Sequence, residues 1–155
     1  MMAQSWDEQF IRAKYHLNIS RRLFENFENY ETKRFLSGTL SEMAKSAACV
    51  VNAYLAYSHA TQGTRMPVDP KARLNVFEKA SNKDIGTKLT KDILTVFIIR
   101  RAQKDSPVEL LKKDKILLLD NGQYRALTKE RLKELLDGID LYCRRFTEVT
   151  KTNTS

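Results

Sequence analysis

Apolar residues recur every three or four positions through most of this chain. Phe10, Ala13, Leu17, Phe24 and Phe27 fall on one stripe, which predicts a first helix from about Trp6 to Phe27. Ser5-Trp6-Asp7-Glu8 offers a capping box at its start, and Asn29-Tyr30-Glu31-Thr32 reads as the break after it. Leu40, Met43, Ala44, Ala47, Val51, Tyr54, Leu55 and Ser58 share the face of a second long helix. Gly38 would kink or delay that helix, and Thr39-Leu40-Ser41-Glu42 would cap it. The small residues Ala44, Ala47 and Ala48 would let a neighbouring helix come close. Antiparallel pairing of the first two helices is the simplest way to bury both stripes.

Gln62 to Pro67 is a loop by its Gly and Pro, and Asp69-Pro70 is a capping residue followed by proline at the first helical position. The helix it opens runs to about Lys79 and would bury Leu74, Val76 or Phe77, and Ala80. Asp84 or Thr87 starts the next, with Leu89, Ile93, Val96 and Phe97 inward, widened by Ile98 and Ile99. It ends near Arg100-Arg101-Ala102-Gln103-Lys104. Ser106-Pro107-Val108-Glu109 predicts a short helix ending around Lys112 to Asp114.

The apolar period then changes. Lys115 to Leu119 and Gln123 to Leu127 flank Asp120-Asn121-Gly122, a strong hairpin signal because both turn positions tolerate positive φ. Thr128 caps a last helix through Phe146, and Thr147 to Ser155 reads as a frayed polar tail. The expected fold is mainly α, an antiparallel bundle of about five helices with a small C-terminal β-hairpin. The 155 residues fit a single domain, with the bundle over 5–105, the short helix, hairpin and last helix over 106–146, and the tail over 147–155.

An apolar share of 42% suffices for a packed core, and 30% charged residues cover it. No apolar run reaches the roughly 18 residues of a membrane span, so no membrane partner is expected. The first residues lack a basic region followed by an apolar stretch, and two distant cysteines make no disulfide framework, so a reduced cytoplasmic setting is expected. The net charge of +8 is uneven: residues 53–105 hold ten basic and five acidic side chains, against seven and six before them and ten and eight after. Such an excess suits an acidic partner, RNA or DNA above all, and also simple solubility.

Reactive residues are sparse. His16, His59, Cys49 and Cys143 lack the paired short spacings of a zinc site, so no metal is expected. The five glycines are isolated, leaving no phosphate-binding loop, and no cofactor is expected. Cys49 and Cys143 read as core residues. His16 follows Arg12 by one helical turn, either as surface or as an acid–base pair for phosphodiester cleavage, and His59 suits a helix C-terminus. Asn52 interrupts an apolar run, either to fix helix register or to line a pocket with Tyr54 and Tyr57. Arg100, Arg101, Lys104, Lys112 and Lys113 flank the Ser106-Pro107 turn and could form one phosphate-facing patch.

A helix containing Trp6 and Ile11-Arg12-Ala13-Lys14-Tyr15-His16-Leu17 is followed by one with Glu42-Met43-Ala44-Lys45-Ser46-Ala47-Ala48 and Ala53-Tyr54-Leu55. Over about residues 6–105 this resembles the HEPN superfamily of helical bundles. The resemblance implies an up-and-down bundle, frequently a dimer. Many members are metal-independent RNases, and others bind nucleotides or protein partners. The family's catalytic pair is an Arg followed, after about four to six residues, by a His late in the bundle, acting through charge stabilisation and proton transfer. Here no His follows Arg100 or Arg101, so that pair is not carried over. The expected function is therefore a non-catalytic basic module contacting nucleic acid or a protein partner. The alternatives are a metal-independent RNase with a degenerate site and a structural or regulatory homodimer.

Overall fold

The computed structural model describes residues 6–105, 109–112, 115–120 and 123–154. In chain order they form α1 (Trp6–Tyr30), α2 (Lys33–Gln62), α3 (Pro70–Asp84), α4 (Thr87–Asp105), β1 (Glu109–Lys112), β2 (Lys115–Asp120), β3 (Gln123–Thr128) and α5 (Lys129–Thr154). The protein is mainly helical.

The closest partnership is α1 with α2, and it runs antiparallel. Ser46 Oγ donates to Ala13 O at 2.7 Å, and Ser20 Oγ donates to Thr39 O at 2.8 Å. These buried hydroxyls reach a neighbouring backbone only because little volume stands between the helices. Ala13 and Ala47 are fully buried, and a Cβ on Gly38 would sit 3.0 Å from Leu23 Cδ1. Gly38 therefore lies inside α2, which runs unbroken from Lys33 to Gln62, and does not delay it. Glycine weakens a helix interior by about 0.5–1 kcal/mol relative to alanine, and here the close approach offsets that cost.

The helix start expected at Thr39 to Glu42 is corrected accordingly. α2 begins about two turns earlier, where Thr32 Oγ1 accepts the Phe35 amide at 3.4 Å. No proline or positive-φ residue separates Thr32 from Thr39, and Thr39 turns its hydroxyl to Phe35 O at 2.8 Å instead. At the other end Gly63 takes φ +68 and returns its amide to His59 O, closing the helix in a left-handed cap. The expected Asp69-Pro70 start is found: Asp69 Oδ2 accepts the Ala72 amide at 3.0 Å. Phe77 is the buried anchor of α3, and Leu74, Val76 and Ala80 pack partly against the core.

α4 buries Ile93, Val96, Ile99 and Ala102, with Phe97 only half-buried. α5 starts where Thr128 Oγ1 accepts the Arg131 amide at 3.0 Å. It lies antiparallel to α1: Lys129 meets Glu31, Arg21 meets Asp137, and Phe10 stacks on Phe146 at 5.4 Å. The polar tail expected from Thr147 is corrected, because α5 continues to Thr154 and Val149 still packs on the core.

A further correction concerns Glu109–Lys112, expected in a short helix and found as a strand. A helix this short would carry the cost of nucleation with almost no propagation, whereas β2 offers ladder partners at once. β1 pairs antiparallel with β2 (Glu109 with Leu117, Leu110 with Ile116), and β2 pairs antiparallel with β3 from Lys115–Thr128 to Asp120–Gln123. Asn121 and Gly122, the expected turn, lie outside the described residues, as do Ser5 and Ser106-Pro107-Val108. β2 packs on α4 and β3 on α5, and Leu127 enters the core. Among the described residues no helix is long and apolar enough to cross a membrane.

Candidate nucleic-acid interface

The expected cationic residues begin on the last turns of α4. Arg101 and Lys104 are exposed, whereas Arg100 is half-buried. Arg100 donates through Nη1 to Gln103 Oε1 at 2.9 Å, and Gln103 Nε2 donates to Ser37 O at 3.5 Å. Arg100 thus helps tether α4 to α2, leaving Arg101 and Lys104 as the outward cations. Lys112 ends β1, opposite Lys115, and Lys113 lies outside the described residues.

The Gln103–Ser37 tether has a consequence that chain order conceals. It sets the C-terminal turn of α4 beside the N-terminal turn of α2, which carries Lys33 and Arg34, both exposed. Neither cation makes an ion pair among the described residues. Their position is also electrostatically adverse. Backbone amides at a helix N-terminus carry partial positive charge, so cations there are disfavoured, typically by about 0.3–1 kcal/mol. The first turn of α2 holds no acidic residue to relieve this. Lys33-Arg34 is an adjacent basic pair in the chain, and its proximity to α4 follows only from the packing of α2 on α4.

Several other basic residues are held by acceptors or rings. Lys129 lies 3.4 Å from Glu31 and over the Phe27 ring, Arg21 pairs with Asp137 at 3.0 Å, and Arg144 pairs with Asp140 at 3.2 Å. Arg145 donates to Ile85 O at 3.3 Å. No family model matches the chain. No curated protein and no solved structure matches it either.

The candidate reactive residues are also engaged or shielded. His16 Nδ1 lies 2.6 Å from Glu42 Oε2, which ties α1 to α2, while Arg12 is exposed. His59 Nδ1 lies 2.8 Å from Thr64 O, beside the Gly63 cap. Burial raises the Cys49 thiol, opposed by the Arg12 charge, and pushes the Cys143 thiol up to about 12. Both thiols are thereby held in the less reactive protonated form. Burial and then the hydrogen bond to Asp84 raise the Tyr54 phenol. Asn52 does line a cavity, but with Arg73 rather than with Tyr54 and Tyr57, which are fully buried. Among the described residues no group of three or more His, Cys, Asp or Glu is placed to hold a metal ion.

Proposed function

We propose that this chain is a non-catalytic binding module that grips nucleic-acid phosphates at one end of a helical bundle. The observation that carries the reading is the Gln103–Ser37 tether, which gathers Lys33, Arg34, Arg101 and Lys104 from two distant stretches of sequence. Lys33 and Arg34 gain nothing from the helix they begin, whereas a phosphate would meet both cations and the partial positive charge of the α2 N-terminus. Phosphate contacts of this kind supply affinity without sequence preference. The HEPN-like reading fits as a bundle without the late Arg–His pair. In this view β2 and β3, with the hairpin expected at Asp120-Asn121-Gly122, form an appendage on the bundle.

Filter binding of short single-stranded and duplex RNA and DNA across a salt series tests the proposal. Affinity should fall steeply with salt, since each phosphate neutralised releases a counterion. Weak binding without a salt slope would remove nucleic acid from the account and favour a protein partner. Incubation of the same RNA with EDTA tests the enzymatic alternative. Cleavage that survives EDTA and is lost in His16→Ala or His59→Ala would overturn the non-catalytic reading.

A further inference from the structure

A second feature is a cavity of about 290 Å³ that α2, α3 and α4 leave between them, with Phe97 one turn of α4 before Arg101. Its walls are mostly apolar: Ala48 and Val51 from α2, Leu74 from α3 and Phe97 from α4. Leu74 and Phe97 remain half-buried there, beside the small side chain of Ala48. An apolar hollow left open in this way forfeits dispersion contacts on one side. Something filling it would restore them.

The polar groups in the lining are Asn52 and Arg73. Arg73 Nη2 donates to Asn52 Oδ1 at 2.9 Å, and Nη1 donates to Pro67 O at 3.4 Å. Both acceptors are neutral, so they fix the guanidinium without cancelling its charge. Asp69 lies one turn before Arg73 on α3, but its carboxylate caps the Ala72 amide instead. No acidic side chain pairs with Arg73 among the described residues. Two of its five N–H groups are used, and three remain for a ligand.

A half-buried, pre-oriented guanidinium in an apolar wall matches a planar carboxylate attached to a hydrocarbon body. A phosphate dianion would need more donors than one arginine and an amide supply. The volume accommodates about ten non-hydrogen atoms, taking the roughly 30 Å³ share of a liquid water as the unit. We infer that this cavity binds a small aliphatic carboxylic acid, its carboxylate on Arg73 and its chain against Ala48, Val51, Leu74 and Phe97. None of Lys33, Arg34, Arg101 and Lys104 lines the cavity, and the inference does not rest on the phosphate reading.

Octanoate and octan-1-ol are the probes, titrated into the full chain while the Val51 and Leu74 methyl resonances are followed. Octanoate should saturate these signals with an affinity at least about tenfold above that of octanol, the margin expected of a charge-assisted pair. Arg73→Gln should erase that margin while leaving octanol binding unchanged. Ala48→Phe should fill the hollow and abolish both. Arg34→Glu with Lys104→Glu should leave octanoate affinity at the wild-type level. Equal affinities for the two probes in the wild-type protein, shifts centred elsewhere, or no saturable octanoate binding would each overturn the inference. The wild-type comparison decides by itself should Arg73→Gln fail to fold.

Discussion

The two ends of the bundle handle polar groups in opposite ways. Where the end of α2 meets α3, the start of α4 and α5, they are paired inside. Buried Tyr54 Oη donates to Asp84 Oδ2 at 2.5 Å, and from the exposed rim Gln62 Nε2 donates to the same half-buried carboxylate at 3.3 Å. Ser81 Oγ lies 2.6 Å from Thr90 Oγ1 and 2.7 Å from Tyr142 Oη, so three buried hydroxyls from α3, α4 and α5 share one network. Rings close over it, with Phe77 edge-on to Tyr54 at 5.8 Å and beside Tyr142 at 6.0 Å. At the opposite end, Lys33, Arg34, Arg101 and Lys104 are exposed on two helix termini. Buried polar groups unmade cost stability, and exposed cations cost almost none when changed. The first end is therefore legible as architecture, and the second is the surface on which the proposed function rests.

The largest expected effect breaks the closed end. Phe77→Ala removes the ring between Tyr54 and Tyr142 and should cost about 3–5 kcal/mol in urea unfolding. A loss below about 1 kcal/mol would mean that the rings are not the support of this end. Tyr54→Phe is a finer cut, because it keeps the ring and leaves Asp84 with Gln62 alone. It should cost about 1–3 kcal/mol, the range for orphaning a buried polar partner. An unchanged midpoint would show that water replaces the phenol freely.

The closed end and the core around it also predict an alkaline limit. Burial raises the Cys143 thiol from 9.0 to about 12 and raises the Tyr54 and Tyr142 phenols above their ordinary 10.0. The folded protein keeps protons that the unfolded chain releases, so the unfolded state binds fewer of them at high pH. These groups leave stability unchanged below about pH 9 and lower it progressively as pH climbs toward 12. Urea midpoints measured from pH 8 upward should fall only on that alkaline side. A flat profile would mean that these side chains ionise in the folded state.

The difference between the ends also marks what the sequence could disclose. Apolar periodicity located the helix stripes, because core contacts demand a repeating face: Ala13, Leu17, Met43, Tyr54 and Ile93 were each expected inward and are buried. Asp69-Pro70 and Thr128 were legible as starts because a cap acts within one turn. Capping chemistry misled at Thr39 to Glu42, where the same residue types sit inside a helix and Thr39 turns its hydroxyl back on the helix. Glu109–Lys112 was misread because a strand's partners lie elsewhere in the chain. The candidate site divided in the same manner. Arg101 and Lys104 were visible from local charge, whereas Lys33 and Arg34 join them only through the antiparallel packing of α2 and α4. The Arg73 cavity needed three helices to exist at all, so no single segment of sequence could announce it.

The smallest expected change in stability carries the strongest test of function. Arg34→Glu combined with Lys104→Glu alters two exposed side chains at the α2 and α4 termini and should leave the melting temperature in place. Binding to RNA and DNA should weaken uniformly across sequences, and the slope of log affinity against log salt should become shallower by roughly one unit per lost phosphate contact. A double variant that melts like wild type and binds with the same affinity and the same salt slope would contradict the assignment of this end to nucleic acid.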